Sequence, residues 1–238
     1  MAVTLVEMPI TMVVQETHDT RTFRLEPPPE FPMDWLPGQF ITIFLPDDPK
    51  TRRAYSLSSS PLDGHFLEIT IKRMGHFGTR IYETGAIGTR AMVIPPRGKF
   101  VLPADPTLPV VLISGGSGVT PYRSMMRYIV QKKPPTRVVN LYSVRLPEDI
   151  IFKNEFEQLC AQNPNFTFLV TCTRLPPEDT SWKGLRGRVN PEMVRKFTED
   201  TERTAYYSCG SHDFVVGTSK MLHDMGLPKE RVIYEDWG

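Results

Sequence analysis

Two short segments bring together residue types that can hold an anionic, ring-bearing ligand. The first, Ile113-Ser114-Gly115-Gly116-Ser117-Gly118-Val119-Thr120-Pro121, follows the apolar run Val110-Val111-Leu112-Ile113 and opens a helical pattern. In that context main-chain N–H groups and the helix dipole receive phosphate, and glycine lets a pyrophosphate approach the backbone. Pro121 suits the first helical turn, where its missing donor costs nothing and its fixed φ favours helix. A tight strand-to-helix connection also needs glycine for its own geometry, so the loop by itself leaves both readings open. No Gly-Lys-Ser/Thr closes it as a Walker loop would, and Val119 stands at the final glycine of a lipase-type nucleophile elbow. The second segment, Arg52-Arg53-Ala54-Tyr55-Ser56-Leu57-Ser58-Ser59-Ser60-Pro61, sets an arginine, an aromatic ring and a hydroxyl close together. In an extended strand Arg53 and Tyr55 share a face while Ser56 points to the other, so a phosphate ligand and a stacking surface sit on one side. An edge strand with a solvated arginine pair and a core tyrosine is the competing reading.

These segments need two different scaffolds. From Thr11 to Phe100 the apolar pattern is short and β-like: Met12-Val13-Val14, Thr22-Phe23-Arg24-Leu25, Phe40-Ile41-Thr42-Ile43-Phe44, and Phe66-Leu67-Glu68-Ile69-Thr70-Ile71 after a hairpin-type turn at Asp63-Gly64. Many short strands without long helices predict a barrel or sandwich. After Pro109 buried strands alternate with helices. Val110–Ile113 precedes a helix over Pro121–Gln131, Val138–Tyr142 a helix around Phe152–Cys160, and Phe166–Val170 a helix from Pro191. The strand Ala205–Ser208, a helix over Phe214–Met225 and a strand Arg231–Tyr234 follow. That alternation predicts a parallel, doubly wound sheet. Pro103, Pro106 and Pro109 interrupt both patterns, so the expected domains are 1–104, a β-barrel, and 105–238, an α/β nucleotide-binding domain.

Composition agrees with a two-domain globular chain: 238 residues, 40% hydrophobic and 23% charged, neither disordered nor membrane-like. A formal charge of +1 supplies no whole-molecule field for nucleic acid or anionic membrane. Met1–Glu7 carries no basic leader followed by an apolar core, and no apolar run approaches the roughly 20 residues that span a bilayer, so the expected location is the cytoplasm. Cys160, Cys172 and Cys209 are odd in number and widely spaced, which argues against a disulfide framework and against four-cysteine metal or iron–sulfur sites. The sequon at Asn165-Phe166-Thr167 is taken as accidental. His18, His65, His76, His212 and His223 show no metal-ligand spacing. Tyr122, Met125 and Met126 read as one buried helix face, and Arg186 and Arg188 as a solvated loop.

Taken together, the motifs resemble the ferredoxin–NADP reductase superfamily. Arg53-Ala54-Tyr55-Ser56 resembles its Arg-x-Tyr-Ser flavin signature, Gly75-His76-Phe77-Gly78-Thr79 its flavin-phosphate loop, and Pro96-Arg97-Gly98-Lys99-Phe100 its barrel-closing segment. Gly115–Pro121 resembles its nicotinamide-nucleotide loop and Tyr207-Ser208-Cys209-Gly210-Ser211 its late Cys-Gly motif. The order and intervals are family-like over almost the whole chain. Two positions depart from the pattern: Pro95 replaces the usual glycine at the start of the barrel-closing motif, and Gly78 stands where serine is common.

The resemblance implies that Tyr55 stacks on the isoalloxazine, Ser56 hydrogen-bonds near flavin N5 and Arg53 pairs with the flavin phosphate. It assigns Ala54, Thr70 and Lys72 to the same cofactor set, with Gly78 and Thr79 giving N–H groups to the diphosphate at a helix start. It assigns Gly116, Gly118, Thr120 and Pro121 to the dinucleotide, and Cys209 and Gly210 to the nicotinamide. In Tyr234-Glu235-Asp236-Trp237-Gly238 it implies that Glu235 assists proton balance and Trp237 covers a flavin face, a frayed terminus being the competing reading. The catalytic set is thus Ser56, Cys209 and Glu235, at a cleft between the domains.

The implied reaction is hydride transfer from NADPH or NADH to bound FAD, with FMN the lesser alternative, then electron transfer to a separate acceptor such as ferredoxin, flavodoxin or an oxygenase component. No Cys-x4-Cys-x2-Cys cluster motif is present. Thr173-Arg174 resembles the Ser-Arg pair that grips the 2′-phosphate of NADPH, and Arg145 can approach the same ribose, which favours NADPH. The competing functions are a diffusible flavin reductase and a non-catalytic electron-transfer or nucleotide-binding subunit.

Overall fold

The computed structural model describes residues 5–198 and 200–237; Met1–Thr4, Glu199 and Gly238 lie outside them. The chain divides into two compact units. One comprises Met1–Leu102 and Thr120–Tyr128, the other Pro103–Val119 and Ile129–Gly238. The expected division at 104/105 is a single cut, whereas the segment Thr120–Tyr128 groups with the first unit.

The first unit is built on β1 (Val6–Thr17), β2 (Thr20–Leu25), β3 (Phe40–Leu45), β4 (Asp48–Ser56), β5 (Leu67–Lys72), helix α1 (Gly75–Thr84) and β6 (Arg90–Arg97). The six strands form one antiparallel sheet in the order β4-β3-β6-β1-β2-β5. An antiparallel bridge between Leu57 and Ile69 joins the two ends of that order, closing a barrel. Alternate residues point inward, and Met8, Ile41, Leu57, Leu67, Ile71 and Val93 are among the fully buried side chains of its core. Burial of such side chains contributes about 1.5–3 kcal/mol each.

Two features of this barrel differ from expectation. Asp63-Gly64 is not a two-residue hairpin turn: β5 pairs along its length with β2, and Asp63 closes the connection by accepting the Ser60 N–H at 2.8 Å. The strand β6, which no apolar alternation announces, carries Pro95 and Pro96. Its register with β3 shifts between Phe40↔Arg97 and Thr42↔Ile94, so both prolines fall at an irregularity where a ladder donor is dispensable.

The second unit holds β7 (Val110–Gly115), β8 (Val138–Val144), β9 (Phe166–Cys172), β10 (Leu185–Arg186), β11 (Ala205–Gly210) and β12 (Val232–Asp236), a parallel sheet in the order β10-β9-β8-β7-β11-β12. Along the chain, helices α2 (Thr120–Lys132), whose segment Thr120–Tyr128 groups with the first unit, α3 (Lys153–Gln162), α4 (Pro191–Phe197) and α5 (His212–Asp224) connect the strands. Every residue of β8 is buried, as a strand covered on both faces requires. Tyr122, Met125 and Met126 of α2 are buried, as their spacing predicts. Asn190 starts α4 by accepting the Met193 N–H at 3.0 Å, ahead of Pro191 in the first turn. The chain runs outward from β7 through β8, β9 and β10, then returns to lay β11 and β12 on the other side. The crevice at the carboxyl ends of β7 and β11 is therefore a topological switch point, where open α/β sheets bind ligands. Among the described residues no helix is long and apolar enough to cross a membrane.

Candidate functional site

In the barrel unit the last residues of β4 carry the first cluster. Arg53 is exposed and its Nη1 donates to the Arg52 carbonyl at 2.8 Å. Tyr55 is half-buried; its ring stacks on Phe77 with centroids 6.3 Å apart and planes 30° apart. Burial pushes the Tyr55 hydroxyl up to about 12 against the opposing pull of Arg53, so it stays protonated. Ala54 lies opposite Thr42 and is half-buried, and Ser56 is buried opposite Phe40. Phe77 belongs to α1, which fixes the helix beneath the tyrosine ring.

Helix α1 starts at Gly75, where φ is +64° and the direction a Cβ would take is open for 4 Å. No side chain caps this end, since Met74 holds the cap position, and its first N–H groups are left for an outside acceptor. Gly78 stands one turn further in than the helix start. There a Cβ would lie 2.9 Å from the Lys72 carbonyl, so the glycine serves close packing of helix on strand. Thr79 follows it within the helix. Thr70 and Lys72 already have partners within the unit: Thr70 Oγ1 meets Thr22 Oγ1 at 2.9 Å and Ser58 Oγ at 3.2 Å, and the part-exposed Lys72 Nζ pairs with Asp19 at 2.7 Å.

The first two turns of α2, in the same unit, are tied to the barrel by charge. Arg123 Nη1 lies 2.7 Å from Glu68 Oε2, and Arg24 donates to Glu68 Oε1 at 2.7 and 3.0 Å. Arg127 pairs with Asp63 at 2.8 Å. Glu68 is only 1% exposed, and burial alone would raise its pKa. The Arg123 and Arg24 guanidiniums outweigh that and hold it below the usual carboxylate value.

In the α/β unit the chain leaves β7 through Gly115 and the single turn Gly116–Val119. Gly116 has φ +55° with open space where a Cβ would point, leaving its main chain bare. Gly118 has a different reason to be glycine: a Cβ there would overlap the Cys209 carbonyl on β11. Gly115 and Gly210 both face the ring of Phe214, and a Cβ on either would sit within 2.9 Å of it. Phe214 is thus a packing centre of the site that its sequence context did not reveal. Thr120 begins α2 without a side-chain cap from Val119, with Pro121 in the first turn.

Cys209 is fully buried, and burial followed by the nearby Glu235 carboxylate drives its thiol far up, so it remains a neutral thiol. Register sets Cys209 beside Ser114 on one side and Glu235 on the other. Trp237 N–H donates to the Gly210 carbonyl at 3.2 Å, and His212 Nδ1 meets Asp236 at 2.6 Å, which raises the histidine pKa. The end of β12 is therefore fastened, not frayed. The hydroxyls of Ser114 and Ser208 are buried with no hydrogen-bond partner among the described residues.

Beyond the ends of β8 and β9 a cavity of about 630 Å³ is lined by Ser143, Arg145, Thr173, Arg174, Arg188 and Asn190, among others. Thr173 Oγ1 donates to the Val144 carbonyl at 3.0 Å and Arg174 N–H to the Arg145 carbonyl at 3.0 Å, which fixes that loop. Arg188 lines the same cavity, whereas the sequence suggests only a solvated loop.

Residues 7–101 match the model of the oxidoreductase FAD-binding domain and residues 112–220 that of the oxidoreductase NAD-binding domain. The chain is 30% identical over 229 residues to the glycine betaine monooxygenase reductase subunit of Chromohalobacter salexigens, covering 95% of this chain and 62% of that protein. It is 32% identical to an NADPH oxidoreductase of Mycobacterium tuberculosis, covering 90% of this chain and 55% of the other. The chain thus spans somewhat under two thirds of the length of these relatives. Among solved structures, the FAD/NAD-binding domain of a nitric oxide dioxygenase from Vibrio cholerae superposes with a TM-score of 0.84 at 25% identity, covering 98% of each chain. Two domain models in tandem over most of the chain, on a fold shared along its whole length, identify this protein as a member of the ferredoxin–NADP reductase superfamily.

Proposed function

We propose that the chain is a flavoprotein reductase that takes reducing equivalents from a nicotinamide dinucleotide, holds FAD, and delivers electrons to a separate acceptor protein. The observation that carries the reading is the paired absence of side-chain caps at α1 and α2, with a positive-φ glycine, free of neighbours where a Cβ would point, opening α1 at Gly75 and the turn that leads into α2 at Gly116. Two helix starts without a side-chain cap suit two phosphate-bearing ligands. The residues present therefore fit both a flavin and a dinucleotide, and the unsatisfied hydroxyls of Ser114 and Ser208 beside Cys209 fit a polar ring at the switch point.

When bound, the flavin supplies the means to accept a hydride as an electron pair and to release electrons singly. The protein supplies binding and proton control. Tyr55 offers a ring face held by Phe77, Arg53 a forked donor for phosphate, and the N–H groups from Gly75 onward a cradle for the diphosphate. Ser56 orients the reacting edge through its hydroxyl, and Glu235 holds a proton nearby. Cys209, kept neutral, shapes the nicotinamide pocket without bonding covalently. Trp237, fastened at Gly210, covers a flavin face.

Arg174 and Thr173, with Arg145 and Arg188 around the same cavity, favour NADPH over NADH through the 2′-phosphate. By likeness to oxygenase reductase subunits, the acceptor is an oxygenase component, ferredoxin or flavodoxin. Three cysteines free of disulfides and the nicotinamide substrate fit a cytoplasmic setting. Gel filtration of the full chain followed by an absorption spectrum tests this reading. A yellow protein that NADPH bleaches and that then reduces an added ferredoxin supports it; a colourless protein that reduces free flavin makes it a diffusible flavin reductase.

A further inference from the structure

The charge cluster around Glu68 is a buried polar assembly that this mechanism leaves unused. A carboxylate almost wholly removed from water is matched by Arg24 from β2 and Arg123 from α2, with Arg127 at 3.7 Å and paired to Asp63. Such a cluster is an inefficient source of stability, because desolvation offsets most of the attraction. It is an effective source of position, since breaking it strands a buried charge.

The geometry of Arg123 says what is being positioned. Its Nη1 reaches the Glu68 carboxylate at 2.7 Å and the Ser58 carbonyl at 3.4 Å, while Ser58 N–H itself donates to the Glu68 carbonyl at 2.8 Å. One guanidinium nitrogen therefore ties α2 to β5 and to the chain two residues beyond Ser56. Arg123 stands three residues after Thr120, and Arg127 one turn later on the same helix face. The single turn Gly116–Val119 runs straight into α2 with Gly118 packed on Cys209, and Val119 provides no side-chain cap. Arg123 adds a tie from the side of the helix.

We propose that Arg123 is a positioning residue, which through Glu68 and Ser58 sets the direction in which the first turn of α2 offers its N–H groups to the pyrophosphate of the dinucleotide. The inference rests on the assignment of that turn to the dinucleotide. Arg24 shares the same carboxylate but sits on a barrel strand, stacked over Phe66 at 3.6 Å, and is linked to the helix only through Glu68, whereas Arg123 is part of the helix itself. The two arginines thus separate a positioning role from a merely stabilising one.

The experiment compares Arg123→Gln with Arg24→Gln in the full chain, measuring the dissociation constant of NADP⁺ by isothermal titration calorimetry and Tm by circular dichroism. Arg123→Gln is expected to weaken NADP⁺ binding about tenfold, and Arg24→Gln to lower Tm without changing it. Arg123→Lys, which keeps a cation for Glu68, should restore part of the affinity. If Arg123→Gln fails to fold, Arg123→Lys is compared with Arg24→Lys by the same two measurements, with a smaller loss of NADP⁺ affinity expected in the Arg123 variant alone. Equal NADP⁺ affinity in the Arg123 and Arg24 variants, or equal losses in both, overturns the positioning role. Absence of NADP⁺ binding by the unmodified protein overturns the assignment of the turn itself.

Discussion

Gly118 packs so tightly on Cys209 that a β-carbon at the loop would overlap the carbonyl oxygen of the strand. The dinucleotide loop and the Cys-Gly strand end are thereby held against each other across the switch point of the parallel sheet. Gly118→Ala must force them apart. Overpacking of this kind costs about 1–3 kcal/mol, so thermal unfolding should shift downward and NADP⁺ affinity should fall with it. Gly116→Ala meets open space but keeps a positive φ, and should cost about 1–2 kcal/mol in backbone strain alone. Differential scanning calorimetry of the two variants separates crowding from strain.

Tyr55→Ala removes the ring that Phe77 supports. Stacking on an aromatic side chain contributes about 1–3 kcal/mol per ring, so the variant should purify with a depleted flavin complement. A full complement with an unchanged spectrum would take Tyr55 out of the flavin site.

Acid stability should report on Glu68. Its folded pKa lies below the ordinary value of 4.5, so its stabilising contribution is complete above that value and is lost as pH falls through the folded pKa. The unmodified protein should therefore lose stability on acidification below about pH 4.5, and Glu68→Gln should flatten that part of the profile. At neutral pH the same variant should be destabilised by about 3–5 kcal/mol, the cost of breaking a buried ion pair. Urea unfolding across the acid range checks both.

The arginines around the β8–β9 cavity predict coenzyme choice. Arg174→Ala should raise the KM for NADPH by an amount equivalent to about 1.5–3 kcal/mol, the range for a hydrogen bond to a charged group, and leave NADH nearly untouched. Arg188→Ala should act in the same direction. Steady-state kinetics with both coenzymes decides it: equal responses would remove the 2′-phosphate from the cavity.

The sequence declares the fold through period. Alternating apolar residues in β3 and β5, and strand-then-helix runs from Val110 onward, predict the two architectures because burial on one face or two leaves a direct trace in residue order. β6 leaves none, since Pro95 and Pro96 sit in a strand whose register shifts around them. Glycines announce the loops without saying why each is needed: Gly116 leaves bare backbone, whereas Gly118 and Gly78 allow other backbone to come close. Glu68 reads as the polar member of an alternating strand, yet it is buried by arginines that lie 44 and 55 residues away in the chain. Arg188 likewise joins Arg174 only in three dimensions. Long-range charge pairing has no local period, so these partners could not be read from the sequence.

In the proposed function a hydride passes from the nicotinamide to a flavin held by this chain. Its most direct test is anaerobic stopped-flow reduction of the purified holoprotein by NADPH and by NADPH deuterated at the transferred position of C4. Single-turnover bleaching of the flavin with a primary isotope effect is expected, slowed in Ser56→Ala and Cys209→Ala while both variants keep their flavin. Bleaching that is absent, or that shows no isotope effect and is indifferent to both substitutions, would contradict it.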